Sequence, residues 1–186
     1  MLELLDGQTF YHGSYKCVES IDLSFCRPHK DFGQGFYLTT SLSQAEQFAR
    51  LSLKKAARDG IAGASAAPCV STYRFAAQDN LLFHAFEDAD KEWLHFVAGN
   101  RRGELLGNGF ERYQDMDVVA GKIANDQTAQ TLQLYIAGAF GQPGTEAADR
   151  IAIDTLLPNR LENQFCFRTQ RAIDCLSFAG CEQCDV

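Results

Sequence analysis

Three observations in the sequence predict an α+β domain. The β-prone segments are short, and one of them, Cys69 to Phe75, alternates apolar and polar residues as a half-buried strand does. Amphipathic helical runs lie between such segments, the clearest placing Ala45, Phe48, Ala49 and Leu53 at helical spacing. Few segments follow the strand–helix–strand cadence of a doubly wound parallel sheet. With 186 residues and no internal repeat, the chain reads as one domain over 1–186, with an ordered core over roughly 8–178 and a short C-terminal tail.

The elements follow in order. Thr9-Phe10-Tyr11 is β-prone and leads into His12-Gly13-Ser14, where glycine permits a turn or the close approach of a ligand. Residues 15–30 read as an irregular connection. Gly35 to Thr40 reads as a second short strand, with Ser41 or Ser43 as N-cap of a helix that ends near Gly60. The small, glycine-rich run over 60–68 is a loop, and Asn80 to His84 is a further strand after Cys69 to Phe75. Helices are expected over Ala89 to Val97, Asp126 to Ala139, Thr145 to Leu156 and Thr169 to Leu176. Asp117 to Ala120 and Gln164 to Arg168 read as strands.

Composition narrows the function classes. Hydrophobic residues make up 46% of the chain, enough for a packed core and against a disordered one. A net charge of −7 gives no general footprint for nucleic acid or anionic membrane. Seven cysteines without regular spacing read as reduced thiols rather than a disulfide framework. Cys181-x-x-Cys184 is half of a zinc pattern, and no second pair completes it, so no metal is assigned. Neither a signal peptide nor an apolar run of membrane-spanning length is visible, which predicts a soluble, cytoplasmic protein.

Two constellations carry the chemistry, Tyr11-His12-Gly13-Ser14 and Asp31-Phe32-Gly33-Gln34-Gly35-Phe36-Tyr37. Asp31-Phe32-Gly33 spells a kinase triplet, but the glycine-rich loop, strand lysine and catalytic loop of a kinase are missing. Gly33-x-Gly35 does not continue as a dinucleotide fingerprint, and no phosphate-loop GK[ST] occurs. Taken singly, His12 is a polar strand tip and Tyr37 a core residue. The joint pattern is more informative: His-Gly-Ser, a tyrosine 25 positions after the histidine in Gly-x-Gly-Phe-Tyr-Leu-Thr, then an alanine-containing helix.

That pattern resembles the diphtheria-toxin-like branch of ADP-ribosyltransferases, which includes the poly(ADP-ribose) polymerases. More closely, the chain as a whole is similar to the bacterial DUF3990 family. The matching segments are Lys30 to Thr39, Trp93 to Arg102, Thr131 to Tyr135 and Gln164 to Thr169, in that order. The resemblance implies two small, curved β-sheets packed together with surrounding helices, and cleavage of NAD at the nicotinamide–ribose bond. The activity implied is mono-ADP-ribosylation of a macromolecule, with water as an alternative acceptor. It further implies a toxin or effector setting, with a protein acceptor and a cognate antitoxin or regulatory protein as partners. Independently, the net charge of −7 disfavours a nucleic-acid partner, and no membrane partner is expected.

By the same resemblance, His12, Tyr37 and Gln164 form the catalytic set. Gly13 presents backbone hydrogen bonds to the carboxamide, His12 holds the adenosine ribose with help from Ser14, and Tyr37 stacks on nicotinamide. Gly35 belongs to the same cofactor-binding group. Gln164 stands where the family pattern has a glutamate; an amide can bond a ribose hydroxyl but cannot act as a base. Glu162, two residues earlier on the same strand face, is the alternative carboxylate, and otherwise a solvated loop residue.

Several residues keep two readings. Asn100-Arg101-Arg102 is a helix end complementing its dipole, or Arg101 or Arg102 binds pyrophosphate or an acidic acceptor. Asp31 holds a ribose hydroxyl or caps a turn. Asp117 and Asn125-Asp126 read as caps. His29, His84 and His95 share no ligand spacing and are assigned nothing. Beside the enzyme stand a catalytically silent ADP-ribose or nucleotide-binding module, which the glutamine favours, and a plain interaction domain.

Overall fold

A computed structural model describes residues 2–63, 65–104, 110–123, 126–156 and 162–185. Within them the protein is mixed α+β, with two sheets and five α-helices. The strands are β1 (Thr9–Ser14), β2 (Phe36–Leu38), β3 (Cys69–Phe75), β4 (Phe83–Ala85), β5 (Val118–Lys122), β6 (Asn163–Phe167) and β7 (Leu176–Gln183). The helices are α1 (Leu42–Arg58), α2 (Lys91–Arg102), α3 (Asp126–Ile136), α4 (Glu146–Leu156) and α5 (Gln170–Ile173). The chain divides into two compact units, one made of Leu4–Asp22, Tyr37–Leu81 and Gln170–Val186, the other of Met1–Glu3, Leu23–Phe36 and Leu82–Thr169.

The unit containing β1 is built on an antiparallel sheet in the order β1-β3-β7. One face carries α1, whose N-cap Ser41 accepts a hydrogen bond from the amide of Gln44 at 3.3 Å. Ala45 and Ala49 of α1 pack against Val70 of β3, and their small side chains let helix and sheet approach closely. The opposite face is crossed by the segment that follows β1. There the amide of Val18 donates to Ser71 Oγ at 2.9 Å, and the Tyr73 hydroxyl donates to the Val18 carbonyl.

The other unit holds most of the second sheet, ordered β2-β6-β5-β4, with β5 antiparallel to β6 and parallel to β4. Asp90 caps α2 by accepting from the Trp93 amide at 2.9 Å, and Gly103 closes it in the left-handed conformation at φ 75°. Trp93, Leu94 and Val97 are fully buried, as are Val118, Val119 and Phe167 on the sheet. Phe32, the middle residue of the kinase-like triplet, is also fully buried and stacks on Phe96 with ring centroids 6.4 Å apart.

Most elements lie where the residue pattern places them, β3 to the residue. The differences have local causes. His12-Gly13-Ser14 continues β1 instead of turning, because each residue is paired with β3. The C-terminal helix stops at Ile173, and the stretch expected as a tail forms β7 on the far edge of β3. Ser177, Gly180 and Glu182 make that stretch a poor strand by composition; long-range pairing and the contact of Phe178 with Tyr73 at 6.0 Å outweigh propensity. Asn125 lies outside the described residues. Among the described residues, no helix is long and apolar enough to cross a membrane.

Candidate functional site

The two motif strands meet within the β1 unit. Tyr11 and Thr39 form an isolated antiparallel bridge, exchanging hydrogen bonds of 2.8 Å and 3.0 Å through their backbones. Tyr11 therefore turns its N–H and C=O away from β3. Backbone direction alternates along a strand, so Gly13 aims its own N–H and C=O along that same outer edge. Extending the bridge register by two residues sets Gly13 opposite Tyr37. The result is a short backbone edge at Gly13 in register with Tyr37, on strands joined at Tyr11 and Thr39.

His12 ties the same two strands from a side chain. Its Nδ1 lies 2.9 Å from the carbonyl oxygen of Tyr37. A carbonyl can only accept, so Nδ1 carries the proton. Burial lowers the pKa of the ring, and the bond to Tyr37 offsets this only in part. The neutral tautomer protonated on Nδ1 is therefore the resident form near neutral pH. Tyr37 is half-buried between the buried Phe36 and Leu38, as a strand residue on the more open face should be. Ser14 is buried and faces Cys69 across the sheet.

Gly13 is also required by packing. A Cβ there would stand 1.9 Å from the Ala45 carbonyl oxygen and 2.7 Å from the Ala49 amide nitrogen. The space left by its missing side chain is filled by α1, while its backbone groups remain directed along the sheet edge.

The remaining candidates belong to the other unit. Asp31 and Arg101 hold each other, with Arg101 Nε 2.7 Å from Asp31 Oδ1 and both side chains largely buried. Asn100 fastens the same loop, its Nδ2 donating to the Asp31 carbonyl at 3.2 Å and to the Phe96 carbonyl at 2.9 Å. Asn100 is thus a staple between loop and helix, a role its place in a polar triplet does not reveal. Arg102 pairs with Glu104 on the exposed side. At Gly35, a Cβ would come within 2.5 Å of Cys166 Sγ and 2.7 Å of the Phe167 carbonyl oxygen, so the close approach of β6 requires glycine. Gln164 is half-buried on β6 opposite Gly121. Glu162 is exposed just before β6, its carbonyl accepting from the Ile123 amide at 2.8 Å. Asp117, expected as a cap, is instead buried and ties distant segments together, accepting from the Leu82 amide at 2.8 Å and from the Thr169 hydroxyl at 2.5 Å.

Two further features have no signal in the sequence. A cleft of about 260 Å³ is lined by His29, Gly33, Asn100, Glu104, Gln114 and Arg168, and by none of Asp31, Arg101 or Gln164. Deeper, Asp149 accepts from His95 Nε2 at 2.8 Å and from the Tyr135 hydroxyl at 2.5 Å, with Lys91 Nζ at 3.6 Å. Burial pushes the Asp149 carboxyl up, but the bonds from Tyr135 and His95 and the nearby positive charge outweigh it and hold the group below its usual range. These residues come from three different helices, and no sequence spacing joins them.

Among the described residues, no three His, Cys, Asp or Glu side chains converge as metal ligands. Comparison with curated proteins and with solved structures finds no match in either. A family model described as "Protein of unknown function (DUF3990)" matches residues 8–178, nearly the whole chain, and the protein belongs to that family.

Proposed function

We propose that the protein is an NAD-consuming enzyme, an ADP-ribosyltransferase that takes a macromolecule or water as acceptor. The observation that carries this reading is the edge at Gly13. Its N–H and C=O point outward past the Tyr11–Thr39 bridge, on the side where Tyr37 stands in register. A carboxamide presents one acceptor and one donor group, which such a backbone edge complements, and the tyrosine in register with it carries an aromatic ring of the kind that stacks on a pyridinium.

In this reading the C1′–N bond of the nicotinamide ribose breaks and nicotinamide leaves with the electron pair. Positive charge builds on the sugar, as in other glycosyl transfers. An acceptor nucleophile then bonds C1′ and loses its proton, while water in that place yields ADP-ribose. His12, neutral and held through Nδ1, orients a ribose hydroxyl. Gln164 positions a hydroxyl without supplying negative charge.

A second reading, a silent ADP-ribose or nucleotide-binding module, is favoured by one observation. Position 164 carries an amide, and Glu162, the other carboxylate candidate, is exposed ahead of β6. One experiment separates the two. Purified protein is incubated with NAD and nicotinamide release is followed, beside Tyr37→Ala and Gln164→Ala, with binding of a non-hydrolysable NAD analogue measured on the same samples. Release that vanishes in Tyr37→Ala supports the enzyme. Analogue binding without release supports the module. Folded protein that does neither overturns both.

A further inference from the structure

The face of the β1-β3-β7 sheet opposite α1 gathers thiols around one buried hydroxyl. Ser71 is fully buried, and its Oγ lies 3.7 Å from Cys181 Sγ and 4.0 Å from Cys17 Sγ. Cys181 is the direct partner of Ser71 across the β3–β7 ladder. Cys17 belongs to the segment that crosses this face after β1, held there by the bonds of Val18 to Ser71 and Tyr73. Two sulfurs from distant parts of the chain thus flank a single hydroxyl. Cys17 is exposed and Cys181 half-exposed, so an oxidant in solution reaches them.

We propose that Cys17 and Cys181 are a modification site that closes to a reversible intramolecular disulfide when the protein meets a peroxide. The peroxide oxidises one thiolate to a sulfenic acid and is itself reduced to water. The second thiol then displaces the sulfenic hydroxyl as a further molecule of water, forming the S–S bond. A dithiol reductant reverses the reaction by exchange. The bond joins the segment after β1 covalently to β7, across a sheet row in which His12 faces Ser71 and Ser71 faces Cys181.

The Cys69 thiol also approaches Cys181, but backbone spacing favours Cys17. Cys69 stands opposite Gln183, so Cys69 and Cys181 are diagonal neighbours. Diagonal positions are about 7–8 Å apart, beyond the Cα separation a disulfide bridges without backbone movement. Cys69 is also buried, with its thiol donating to the Ala67 carbonyl. Cys17 lies on a connecting segment outside the ladder, so the fixed spacing of cross-strand diagonals does not apply to it. Burial and the neighbouring Cys181 thiol raise the pKa of Cys17, so the reaction should quicken with rising pH.

The test needs no NAD and so stands apart from the proposed activity. The whole protein is treated with hydrogen peroxide, remaining thiols are alkylated, and the digest is mapped by mass spectrometry. The expected result is loss of two of the seven alkylatable thiols, a linked Cys17–Cys181 peptide, and recovery of both thiols with dithiothreitol. Cys17→Ser should abolish the link and Cys69→Ser should keep it, each in protein with an unchanged circular dichroism spectrum. A link lost in Cys69→Ser overturns the proposal. So does a link between two chains in a mixture of isotopically labelled and unlabelled protein, or free alkylation of Cys17 and Cys181 after peroxide.

Discussion

The imidazole Nδ1 of His12 donates to the backbone carbonyl of Tyr37 at 2.9 Å, joining two motifs that lie 25 residues apart. Because burial lowers the pKa of this ring, the folded protein resists a proton that the unfolded chain accepts near pH 6.5. The unfolded state then binds more protons below that value, so stability falls as pH drops from about 6.5 toward the lower folded pKa. His12→Gln should flatten this slope in urea unfolding midpoints measured between pH 7 and pH 5. His84, also lowered by burial, supplies the slope that remains. If the slope is unchanged, His12 is not held neutral.

Gly13→Ala should be severely destabilising, since its Cβ would meet backbone atoms of α1 that cannot rotate away. Overpacking of this kind costs about 1–3 kcal/mol and more where backbone must shift. The thermal midpoint should fall by several degrees or the protein should fail to accumulate. A midpoint equal to wild type would mean that α1 does not approach β1 as closely as described.

Gln164→Glu tests the chemistry directly. Under the proposed function, a carboxylate at this position supplies the negative charge that the amide lacks, and nicotinamide release should rise by about a hundredfold or more, the range usual for a positioned acid–base group. Gln164→Ala should lower release, with analogue binding weakened by the loss of one hydrogen bond, about 1 kcal/mol. Release that falls in Gln164→Glu counts against the role given to this strand.

Asp31 and Arg101 should behave as a coupled pair. Arg101→Ala leaves a largely buried carboxylate without its partner and should cost about 1–3 kcal/mol. Asp31→Asn in the same background should restore part of the loss. Denaturant unfolding of the two single variants and the double variant measures the coupling. Strict additivity would show that the pair contributes nothing as a pair.

The Asp149 carboxyl, held low by Tyr135 and His95, contributes stability that is present above its ordinary pKa of 3.8 and is lost as pH falls through the lower folded value. Asp149→Asn keeps the shape but removes the charge, so it should destabilise the protein at pH 7 by about 2 kcal/mol. It should also weaken acid sensitivity below pH 4. Chemical unfolding at pH 7 and pH 3 compares the two directly.

The sequence by itself determined the class of the fold and the position of its clearest elements. The alternation in Cys69 to Phe75 and the capped, amphipathic run after Ser41 are local patterns, and local patterns suffice where the backbone bonds within a segment or one face is buried. It also marked His12, Gly13 and Tyr37 as a joint pattern and placed the chain in its family. What only the tertiary structure decided rests on distant partners. β7 forms from a poor strand sequence because β3 offers a ladder; Asp31 is matched to Arg101, Asn100 to the loop, and Asp149 to His95 and Tyr135, all across long separations. The exclusion of a Cβ at Gly13 and Gly35 likewise depends on which backbone lies against each, a fact that neither residue carries in its own surroundings in the chain.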